Sequence, residues 1–427
     1  MFKGCGGTFT AREGTIQSPN YPANYSNDQE CVYVISRPEG ERITLTFEDF
    51  DLEGGSRCEF DSLLIRDGSS ENSPVIGRYC GTQNLTEKLS FGNALWLKFE
   101  SDTSDTRKGF TAKYTSGVVP QNFLLVADDF SGSLYRIDIK TGTNILIPLR
   151  LHRPFAVDFD PLEERIYWTN AALGEIRSAY LNGSDQSVVW TSPNREAVDP
   201  LSRLVFYVDP GNDVIGMITT SGSVHKAIIT QNIEEPRSIA LDTANGVMFW
   251  TDVGDKDNTG KIERANYDGT DRRTLVSLEP VPNGLALDLQ NKRLYWVDAL
   301  SERIESIGLD GRNRQLIRTI ADSHLFGLAL QNETLYMTEW GSSRHQTTVS
   351  HMYRMQTDGS GLERWLRAQG KMDDVHAYGE DSWEQGPNGC SSRRNVCGDI
   401  CIPSPGNSYK CLCPDGLYLG SDGRTCN

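Results

Sequence analysis

The first 116 residues alternate apolar and polar positions with a period of two in four separate segments. The segments are 43–50, 61–68, 94–100 and 109–115, with turn residues between them. No helical period of three to four residues accompanies this alternation. Several short strands without a helix are typical of two packed sheets, so we expect a β-sandwich in this part of the chain.

The middle of the chain, residues 121–385, repeats one pattern six times. Its core is a tetrapeptide: LVAD (125–128), YWTN (167–170), FYVD (206–209), FWTD (249–252), YWVD (295–298) and YMTE (336–339). The last residues of these tetrapeptides are 42, 39, 43, 46 and 41 positions apart. Steps near 40 residues with several short strands each predict a six-bladed β-propeller. A leucine-rich or helical solenoid would require a different period or a helical moment.

Two further features recur with the tetrapeptide. An apolar segment ending in Asp precedes many copies, as in FAVDFDP (155–161) and GLALD (284–288), and a turn such as Asp268-Gly269 or Asp310-Gly311 follows. Because these features occur in blade after blade, we interpret the tetrapeptides as structural. Their aromatic residues are expected to fill the seam between blades, and their terminal Asp or Asn to bond neighbouring backbone groups.

The net charge restricts the class of partner. Forty-two Lys and Arg against 58 Asp and Glu give −16, and residues 121–385 carry −12 of it. This balance argues against nucleic acid as a partner, because its binding depends on clustered cations. The acidic surface either steers basic protein partners or only maintains solubility, and charge alone does not decide between the two. The longest apolar runs, such as 123–127, are far shorter than the roughly 18 residues that span a bilayer.

The ten cysteines form two compact groups. Cys5, Cys31, Cys58 and Cys80 lie near the beginning of the chain, six others lie between Cys390 and Cys426, and the 309 residues between the groups have none. Even numbers in compact groups predict two disulfide frameworks and an oxidising compartment. Metal-binding cysteines, the alternative, would need C-x-x-C pairs, and the sequence has none.

Two further sequence features bear on the compartment. N-glycosylation sequons at Asn24, Asn84, Asn182 and Asn332 are consistent with an extracellular chain. The opening residues MFKGCGG contain no apolar core of a signal peptide. We therefore expect the chain to be a fragment of a longer protein.

Residues 1–116 resemble a CUB domain over their whole length. The resemblance rests on CGGTFTAREGTIQSPNYPANY (5–25), FEDFDLE (47–53), CEFDSLLIRDG (58–68), YCG (79–81) and FESDTSDTRKGF (99–110). It implies the disulfides Cys5–Cys31 and Cys58–Cys80.

Three acidic residues of this segment lie at predicted strand ends, where oxygen ligands for Ca²⁺ are expected from separate loops. They are Glu53, Asp61 and Asp102, and they match the Glu and two Asp of calcium-binding CUB domains. The resemblance also implies oxygens from Ser104 and Asp105, and it places Tyr21 beside the site. Three solvated loop carboxylates without a metal are the alternative.

The repeat in residues 121–385 resembles the YWTD propeller of the low-density-lipoprotein receptor family, although Asn170, Val297 and Glu339 depart from its motif. Residues 386–427 resemble an EGF-like module. That resemblance implies the disulfides Cys390–Cys401, Cys397–Cys411 and Cys413–Cys426. The stretch 382–389 lacks the acidic run of calcium-binding EGF modules, so no calcium is predicted there.

Segments 233–242, 280–288 and 373–379 are similar to the first propellers of the Wnt co-receptors in this family, which bind Asn-containing peptides on the top face. The resemblance places Arg237, Asn283 and Phe326 at positions that line the peptide site. Val281 stands where the family often has Trp, and His152-Arg153 stand where acids are expected. We therefore expect the same peptides to bind more weakly.

The sequence contains no H-E-x-x-H, G-x-S-x-G or Walker A motif, and we do not expect an enzyme. We predict an all-β protein with a CUB sandwich (1–116), a six-bladed propeller (121–385) and an EGF-like module (386–427).

The predicted function is that of the extracellular ligand-binding part of a cell-surface receptor, in Wnt-type signalling or endocytic uptake. Its expected partners are extracellular proteins or peptides, and any membrane attachment would come from segments outside this chain. A secreted matrix or adhesion protein is the alternative, and a calcium-dependent propeller hydrolase is a less favoured one.

Overall fold

A computed structural model describes most of the chain. The described residues are 5–38, 41–83, 85, 88–90, 92–118, 122–149, 151–191, 195–255, 259–340, 349–369, 371–379, 388–391 and 396–427. Among them all regular secondary structure is β-strand, and no helix occurs. The chain forms two compact units, residues 1–120 with 181–184, and residues 121–180 with 185–427. The predicted all-β class is confirmed.

The N-terminal unit is a sandwich of two sheets. Its strands are β1 (Gly6–Phe9), β2 (Glu13–Gln17), β3 (Glu30–Ser36), β4 (Glu41–Asp51), β5 (Ser62–Asp67), β6 (Val75–Tyr79), β7 (Lys88–Leu89), β8 (Ala94–Glu100) and β9 (Gly109–Val118). One sheet has the order β1-β3-β8-β5-β6 and the other β2-β9-β4-β7. Strand β1 pairs with β3 in parallel, and the remaining pairs are antiparallel.

The apolar side chains that alternate along these strands meet between the two sheets. Phe110 lies at the centre of an aromatic cluster, with its ring centroid 6.0 Å from those of Tyr33 and Phe99 and 6.4 Å from that of Phe50. Burial of such rings is the main stabilising contribution to a sandwich core. The structure pairs Cys5 with Cys31 and Cys58 with Cys80.

The second unit begins with six four-stranded sheets, each forming one blade. Blade 1 consists of β10 (Phe123–Asp128), β11 (Ser133–Asp138), β12 (Asn144–Leu146) and the late strand β33 (Met372–Tyr378). Blade 2 is β13 (Pro154–Asp160), β14 (Arg165–Asn170), β15 (Glu175–Tyr180) and β16 (Ser187–Thr191). Blade 3 is β17 (Arg195–Asp199), β18 (Leu204–Asp209), β19 (Val214–Thr219) and β20 (His225–Ile229). Blade 4 is β21 (Pro236–Asp242), β22 (Val247–Asp252), β23 (Gly260–Asn266) and β24 (Arg273–Glu279). Blade 5 is β25 (Pro282–Asp288), β26 (Arg293–Asp298), β27 (Arg303–Gly308) and β28 (Gln315–Thr319). Blade 6 is β29 (His324–Gln331), β30 (Thr334–Trp340), β31 (Val349–Gln356) and β32 (Glu363–Gln369).

The six blades close into a ring. The first strands of blades 2 to 6 contact each other in order, and β33 contacts both the last of them, β29, and the first, β13. Strand β33 also pairs antiparallel with β10, so the two ends of the repeat region together build blade 1. The predicted six-bladed propeller is therefore confirmed, and its closure leaves no blade without two neighbours.

Each tetrapeptide is buried and lies in the second strand of its blade in blades 2 to 6, and in β10, which pairs with β33, in blade 1. In blades 1, 3, 4 and 5 the Asp at the fourth position caps the turn that follows, as where Asp298 Oδ1 accepts the N–H of Leu300 at 3.1 Å and of Ser301 at 2.7 Å. Asp298 Oδ2 also accepts the N–H of Val281, in the segment that enters the same blade, at 2.8 Å. The side chain therefore fixes two loops, which agrees with the structural role expected from repetition.

We call β33 of blade 1 and the first strands of blades 2 to 6 the inner strands, because they contact one another around the ring. They all begin at one end of the ring, which we call the top face. The antiparallel register places Pro154 opposite Asn170, Pro236 opposite Asp252 and Pro282 opposite Asp298. The top face therefore consists of the first residues of the inner strands, the last residues of the tetrapeptide strands and the loops that follow each.

The C-terminal module is a hairpin with three disulfides. Strands β34 (Ile400–Ser404) and β35 (Ser408–Leu412) pair antiparallel, and the structure joins Cys390 to Cys401, Cys397 to Cys411 and Cys413 to Cys426. Ile400 and Ile402 are buried in one apolar cluster with Phe206 and Trp250 of the propeller. Most of the stretch for which no calcium was predicted, residues 382–387, lies outside the described residues.

No helix in the described residues is long and apolar enough to cross a membrane.

Candidate functional site

Three carboxylates meet at one end of the CUB sandwich. Glu53 follows β4, Asp61 precedes β5 and Asp102 follows β8. One carboxylate oxygen of each lies within 4.8 Å of the corresponding oxygens of the other two. Three residues from separate loops therefore converge on a common point, as the sequence predicted.

A hydrogen-bond network holds these carboxylates together. Asp61 is fully buried, and its Oδ1 accepts the backbone N–H of Asp102 at 2.8 Å. Its Oδ2 accepts the hydroxyl of Tyr25, and that hydroxyl oxygen in turn accepts the N–H of Glu53 at 3.0 Å. Tyr25 and Asp61 thus fix the loops that carry the other two acids.

Glu53 shows what the cluster lacks. Its Oε2 is enclosed and has no hydrogen-bond partner among the described residues. Burial raises the pKa of Glu53, and the neighbouring charges of Asp102, Asp61 and Asp105 raise it further. An enclosed, unpaired oxygen beside two more carboxylates fits a hard divalent cation, whose charge would offset their mutual repulsion.

The other residues that the resemblance places at or beside the calcium site are Ser104, Asp105 and Tyr21, and they have different surroundings. Ser104 donates its N–H to Asp102 Oδ1 at 2.8 Å, and Asp105 lies close enough to Glu53 to affect its pKa. The prediction for Tyr21 was wrong, because its hydroxyl donates to Asp49 at 2.9 Å and Tyr25 is the tyrosine bonded within the cluster. Both tyrosines belong to the segment NYPANY, so the motif alone did not distinguish them.

The three residues predicted for the propeller site all lie at the starts of inner strands. Arg237 is the second residue of β21, Asn283 the second of β25 and Phe326 the third of β29. They therefore belong to the top face in blades 4, 5 and 6. Arg237 is partly exposed, and its Nη2 lies 3.3 Å from Glu235 Oε2.

The other two are interior residues, which corrects the expectation that they contact a ligand directly. Asn283 is 0% exposed and Phe326 is 1% exposed. Asn283 donates from Nδ2 to the carbonyl of Leu325 at 3.0 Å, and so links blade 5 to blade 6. Phe326 stacks on Trp340, with 4.1 Å between ring centroids, and contacts Phe155 edge-on at 5.6 Å. The groups that contact these two side chains come from other strands and blades, which motif matching does not contain.

An accessible cluster that the sequence did not predict surrounds Trp340. The imidazole of His324 is exposed and stacks on the indole, with 5.3 Å between centroids and 6° between planes. The ammonium of Lys371, also exposed, lies 4.4 Å from the indole centroid. Burial lowers the pKa of His324, and the positive charges of Arg237 and Lys371 lower it further. An aromatic residue directly after the tetrapeptide YMTE was the available signal.

The two departures from the family pattern have structural consequences. Arg153 forms two hydrogen bonds to Asp129, at 2.8 and 2.9 Å, so its charge is paired with a carboxylate of the loop that follows β10. Val281, where the family often has Trp, is only partly exposed and carries no ring. The described top face therefore offers a basic and aromatic centre at blade 6 rather than an aromatic anchor at blade 5.

The predicted glycosylation sites occupy different surroundings. Asn24 and Asn332 are exposed, and Asn24 Nδ2 donates to the carbonyl of Thr106 at 3.0 Å. Asn182 is half-buried and accepts from the N–H of Ser184 at 3.0 Å. Asn84 lies outside the described residues. These four sites stay predictions.

Three known families match this chain in the expected order. The CUB domain matches residues 5–114, the low-density lipoprotein receptor repeat class B matches 203–243 and 246–289, and the Coagulation Factor Xa inhibitory site matches 390–426. The CUB and receptor-repeat modules are non-enzymatic receptor and binding modules, so the chain is not an enzyme.

A solved structure shares the propeller fold. A chain in the crystal structure of a nidogen/laminin complex matches with a TM-score of 0.54 and 24% identity, over 60% of this chain and 98% of that one. At this identity the likeness shows the fold alone.

Two of the proteins similar to this chain are named as a receptor or a receptor-related protein. The chain is 32% identical over 272 residues to the vitellogenin receptor Yl of Drosophila melanogaster, which covers 61% of this chain and 13% of that protein. It is 35% identical over 322 residues to low-density lipoprotein receptor-related protein 5 of Mus musculus, covering 72% of this chain and 19% of that protein. The chain therefore spans less than a fifth of these two relatives.

A shorter relative is covered more completely. The low-density lipoprotein receptor-related protein 5-like protein of Homo sapiens is 35% identical over 184 residues, which is 42% of this chain and 72% of that protein. Together with the matched repeats and the six-bladed ring, this identity shows that the chain belongs to the low-density-lipoprotein receptor-related family.

Proposed function

We propose that this chain is the extracellular ligand-binding part of a receptor and recognises protein partners on the top face of its propeller. The observation that carries the proposal is the accessible cluster of His324, Trp340 and Lys371, which stands beside Arg237 at the starts of the inner strands. Aromatic and basic side chains are enriched where binding energy concentrates in protein interfaces. The receptor character of the relatives supports the same role.

Affinity capture from extracellular extract tests this role. We expect Arg237→Glu to lower the recovery of specific partners several-fold, because it reverses a charge at the centre of the proposed surface. Arg312→Glu is the matched control, since Arg312 is exposed in the turn between β27 and β28, at the end of blade 5 opposite to the top face, and undergoes the same charge change. Mass spectrometry of the captured proteins measures the difference.

One result of this experiment would contradict the proposal. Equal recovery of every partner by the wild type and by Arg237→Glu would contradict a recognition role for the top face. Circular dichroism of each variant, compared with the wild type, establishes that the propeller is intact.

We propose further that the CUB domain binds Ca²⁺ through Glu53, Asp61 and Asp102, with oxygens of Ser104 and Asp105 completing the site. Calcium takes six to eight oxygen ligands at roughly 2.3–2.6 Å, and three carboxylates supply at most six. The unpaired Oε2 of Glu53 supports this assignment. The ion would bridge three loops at one end of the sandwich and so fix the surface that they present.

Calorimetric titration with CaCl₂ tests the calcium site. We expect saturable heat with the wild type and a loss of affinity of roughly tenfold or more in Asp102→Ala, because one charged ligand is removed. Asp49→Asn is the matched control, since Asp49 bonds Tyr21 and Lys108 instead of the cluster. No heat with the wild type, or equal affinity in Asp102→Ala, would exclude the site.

Two versions of the receptor role have separate support. Wnt-type signalling follows from the resemblance of segments 233–242, 280–288 and 373–379 to the Wnt co-receptor propellers. Endocytic uptake of a cargo protein follows from the identity to a vitellogenin receptor. In both versions the recognition units would be residues 1–116 and 121–385, with 386–427 as a packed module, and the chain would act outside the cell.

A further inference from the structure

The centre of the top face carries positive charge on a molecule that is otherwise acidic. Lys371 is exposed and lies over Trp340, and Arg237 is partly exposed at the start of β21. The propeller segment as a whole has a net charge of −12. A local basic centre within an acidic surface focuses an anionic group onto one place, because the rest of the surface repels it.

Three acidic residues on the described strands and loops of this region contact other groups. Glu235 pairs with Arg237, and Glu339 is buried with its Oε2 3.3 Å from His351 Nδ1. Asp373 is 1% exposed and accepts the N–H of Asp129 at 2.9 Å. None of these three presents a free carboxylate to Lys371, so the basic centre is not neutralised by them.

The geometry of the cluster adds a flat apolar surface to this charge. Trp340 is held from below by the buried ring of Phe326, at 4.1 Å between centroids, and Phe326 is held in turn by Phe155 at 5.6 Å. The indole therefore has a fixed orientation, with His324 stacked parallel to it. A rigid aromatic cluster with Lys371 over the indole provides both contact area and charge for a peptide side chain.

We propose that His324, Trp340, Lys371 and Arg237 together bind an acidic peptide segment of a protein partner. This inference rests on the proposed function, that the top face is a recognition surface, and it adds the chemical class of the ligand. The carboxylates of the segment would lie between Lys371 and Arg237, and an adjacent backbone or apolar group would pack on the exposed imidazole of His324, which is stacked on the indole. Basic or neutral segments would lack this pairing.

A peptide titration monitored by the indole resonance of Trp340 tests the proposal on the full chain. The probe is a blocked hexapeptide of alternating Asp and Gly, and the control peptide has Asn in place of each Asp. The chain has eight Trp residues, and the spectrum of Trp340→Phe identifies the resonance of interest. We expect the Asp peptide to shift this resonance saturably and the Asn peptide to leave it in place.

Variants assign the charge dependence to the cluster. We expect Lys371→Gln to weaken binding of the Asp peptide about two- to fivefold, as for the loss of one partly exposed ion pair. Lys140→Gln removes the same charge from an exposed turn of blade 1 and should leave the affinity unchanged. No shift with the Asp peptide, an equal shift with the Asn peptide, or equal effects of the two variants would overturn the proposal.

The outcomes separate this inference from the proposed function. If Arg237→Glu lowers partner recovery while the Asp peptide leaves Trp340 unchanged, the top face is a recognition surface for ligands that are not acidic. If neither experiment shows an effect, both proposals fail.

Discussion

Asp199 is a fully buried carboxyl at the end of the inner strand of blade 3. Its Oδ1 accepts the N–H of Ser202 at 3.0 Å, which caps the turn into the next strand. Burial raises the pKa of Asp199 from 3.8 to about 7, although hydrogen bonds from Ser202 and Tyr267 oppose this shift. The equivalent residues Asp160, Asp242 and Asp288 cap the same turn in their blades.

We expect the propeller to lose stability as the pH rises from about 4 to about 7, and Asp199→Asn to reduce this loss. In that window the folded state keeps a proton on Asp199 that the unfolded chain has released, so the free energy of unfolding falls with pH. At pH 8 the amide variant, which still accepts from Ser202, should be more stable by about 1–3 kcal/mol. Thermal unfolding of both proteins at pH 5, 6, 7 and 8 measures the difference.

Asp310→Asn provides the control for this experiment, because Asp310 is an exposed carboxylate in a turn of blade 5. Its unfolding temperature should follow the wild type at every pH. Parallel profiles of Asp199→Asn and the wild type would show that Asp199 keeps its ordinary pKa in the folded protein.

At the same scale, the sequence predicted the convergence of three carboxylates better than the surroundings of Asn283 and Phe326. Glu53, Asp61 and Asp102 lie up to 49 positions apart, but each adjoins a strand whose position the alternation predicted. The sequence could not distinguish Tyr25 from Tyr21, because the distinction depends on which hydroxyl faces Asp61 across the sandwich. It could not show that Asn283 is buried, because the covering residues come from another blade.

The strands themselves were predictable because each blade repeats a local pattern, and the structure shows why the pattern is kept. The register of the inner strand shifts near its start in blades 2, 4, 5 and 6, and blades 2, 4 and 6 have Thr at the third position of the tetrapeptide. In these blades the tetrapeptide Thr fills the gap, and Thr169, Thr251 and Thr338 accept N–H groups of the inner strand at 3.0, 3.0 and 2.7 Å. Thr251 also donates to the carbonyl of Asn283 in the next blade at 2.9 Å. The hydroxyl thus satisfies a backbone group that the bulge leaves unpaired.

The sequence predicted the number of blades but not which strands pair to close the ring. The six tetrapeptides give six blades, but the pairing of β10 with β33 joins residues about 250 positions apart, which no local pattern encodes. Residues 373–379 were recognised only by resemblance, and their role as the inner strand of blade 1 appears in the structure alone. Nonlocal pairing of this kind is set by the packing of the other five blades.

At the scale of the whole second unit, the EGF-like module is docked against blades 3 and 4. Asn388 Nδ2 donates to Ser202 Oγ at 3.1 Å and to the Thr243 carbonyl at 2.9 Å. Lys410 lies 2.8 Å from Asp268, and Asp415 accepts the N–H of Ala227 at 2.9 Å. Polar contacts therefore surround the buried side chains of the hairpin, an arrangement that is typical of a stable interface.

Gly246 provides the sharpest test of this docking. It has a left-handed φ of +66°, and an added Cβ would lie 2.0 Å from the carbonyl oxygen of Pro403 in the module. We expect Gly246→Ala to separate the module from blade 4, because a carbonyl group cannot yield as a flexible side chain does. Hydrogen exchange should then accelerate at Ala227 and across β34, while the strands of blades 1, 2 and 6 keep their protection. Gly142→Ala is the matched control, since Gly142 has a φ of +70° and its added Cβ meets only ordinary contacts at 3.7 Å. Both variants share the backbone strain of about 1–2 kcal/mol, so faster exchange at Ala227 in both, or in neither, would show that the contact with Pro403 does not hold the module in place.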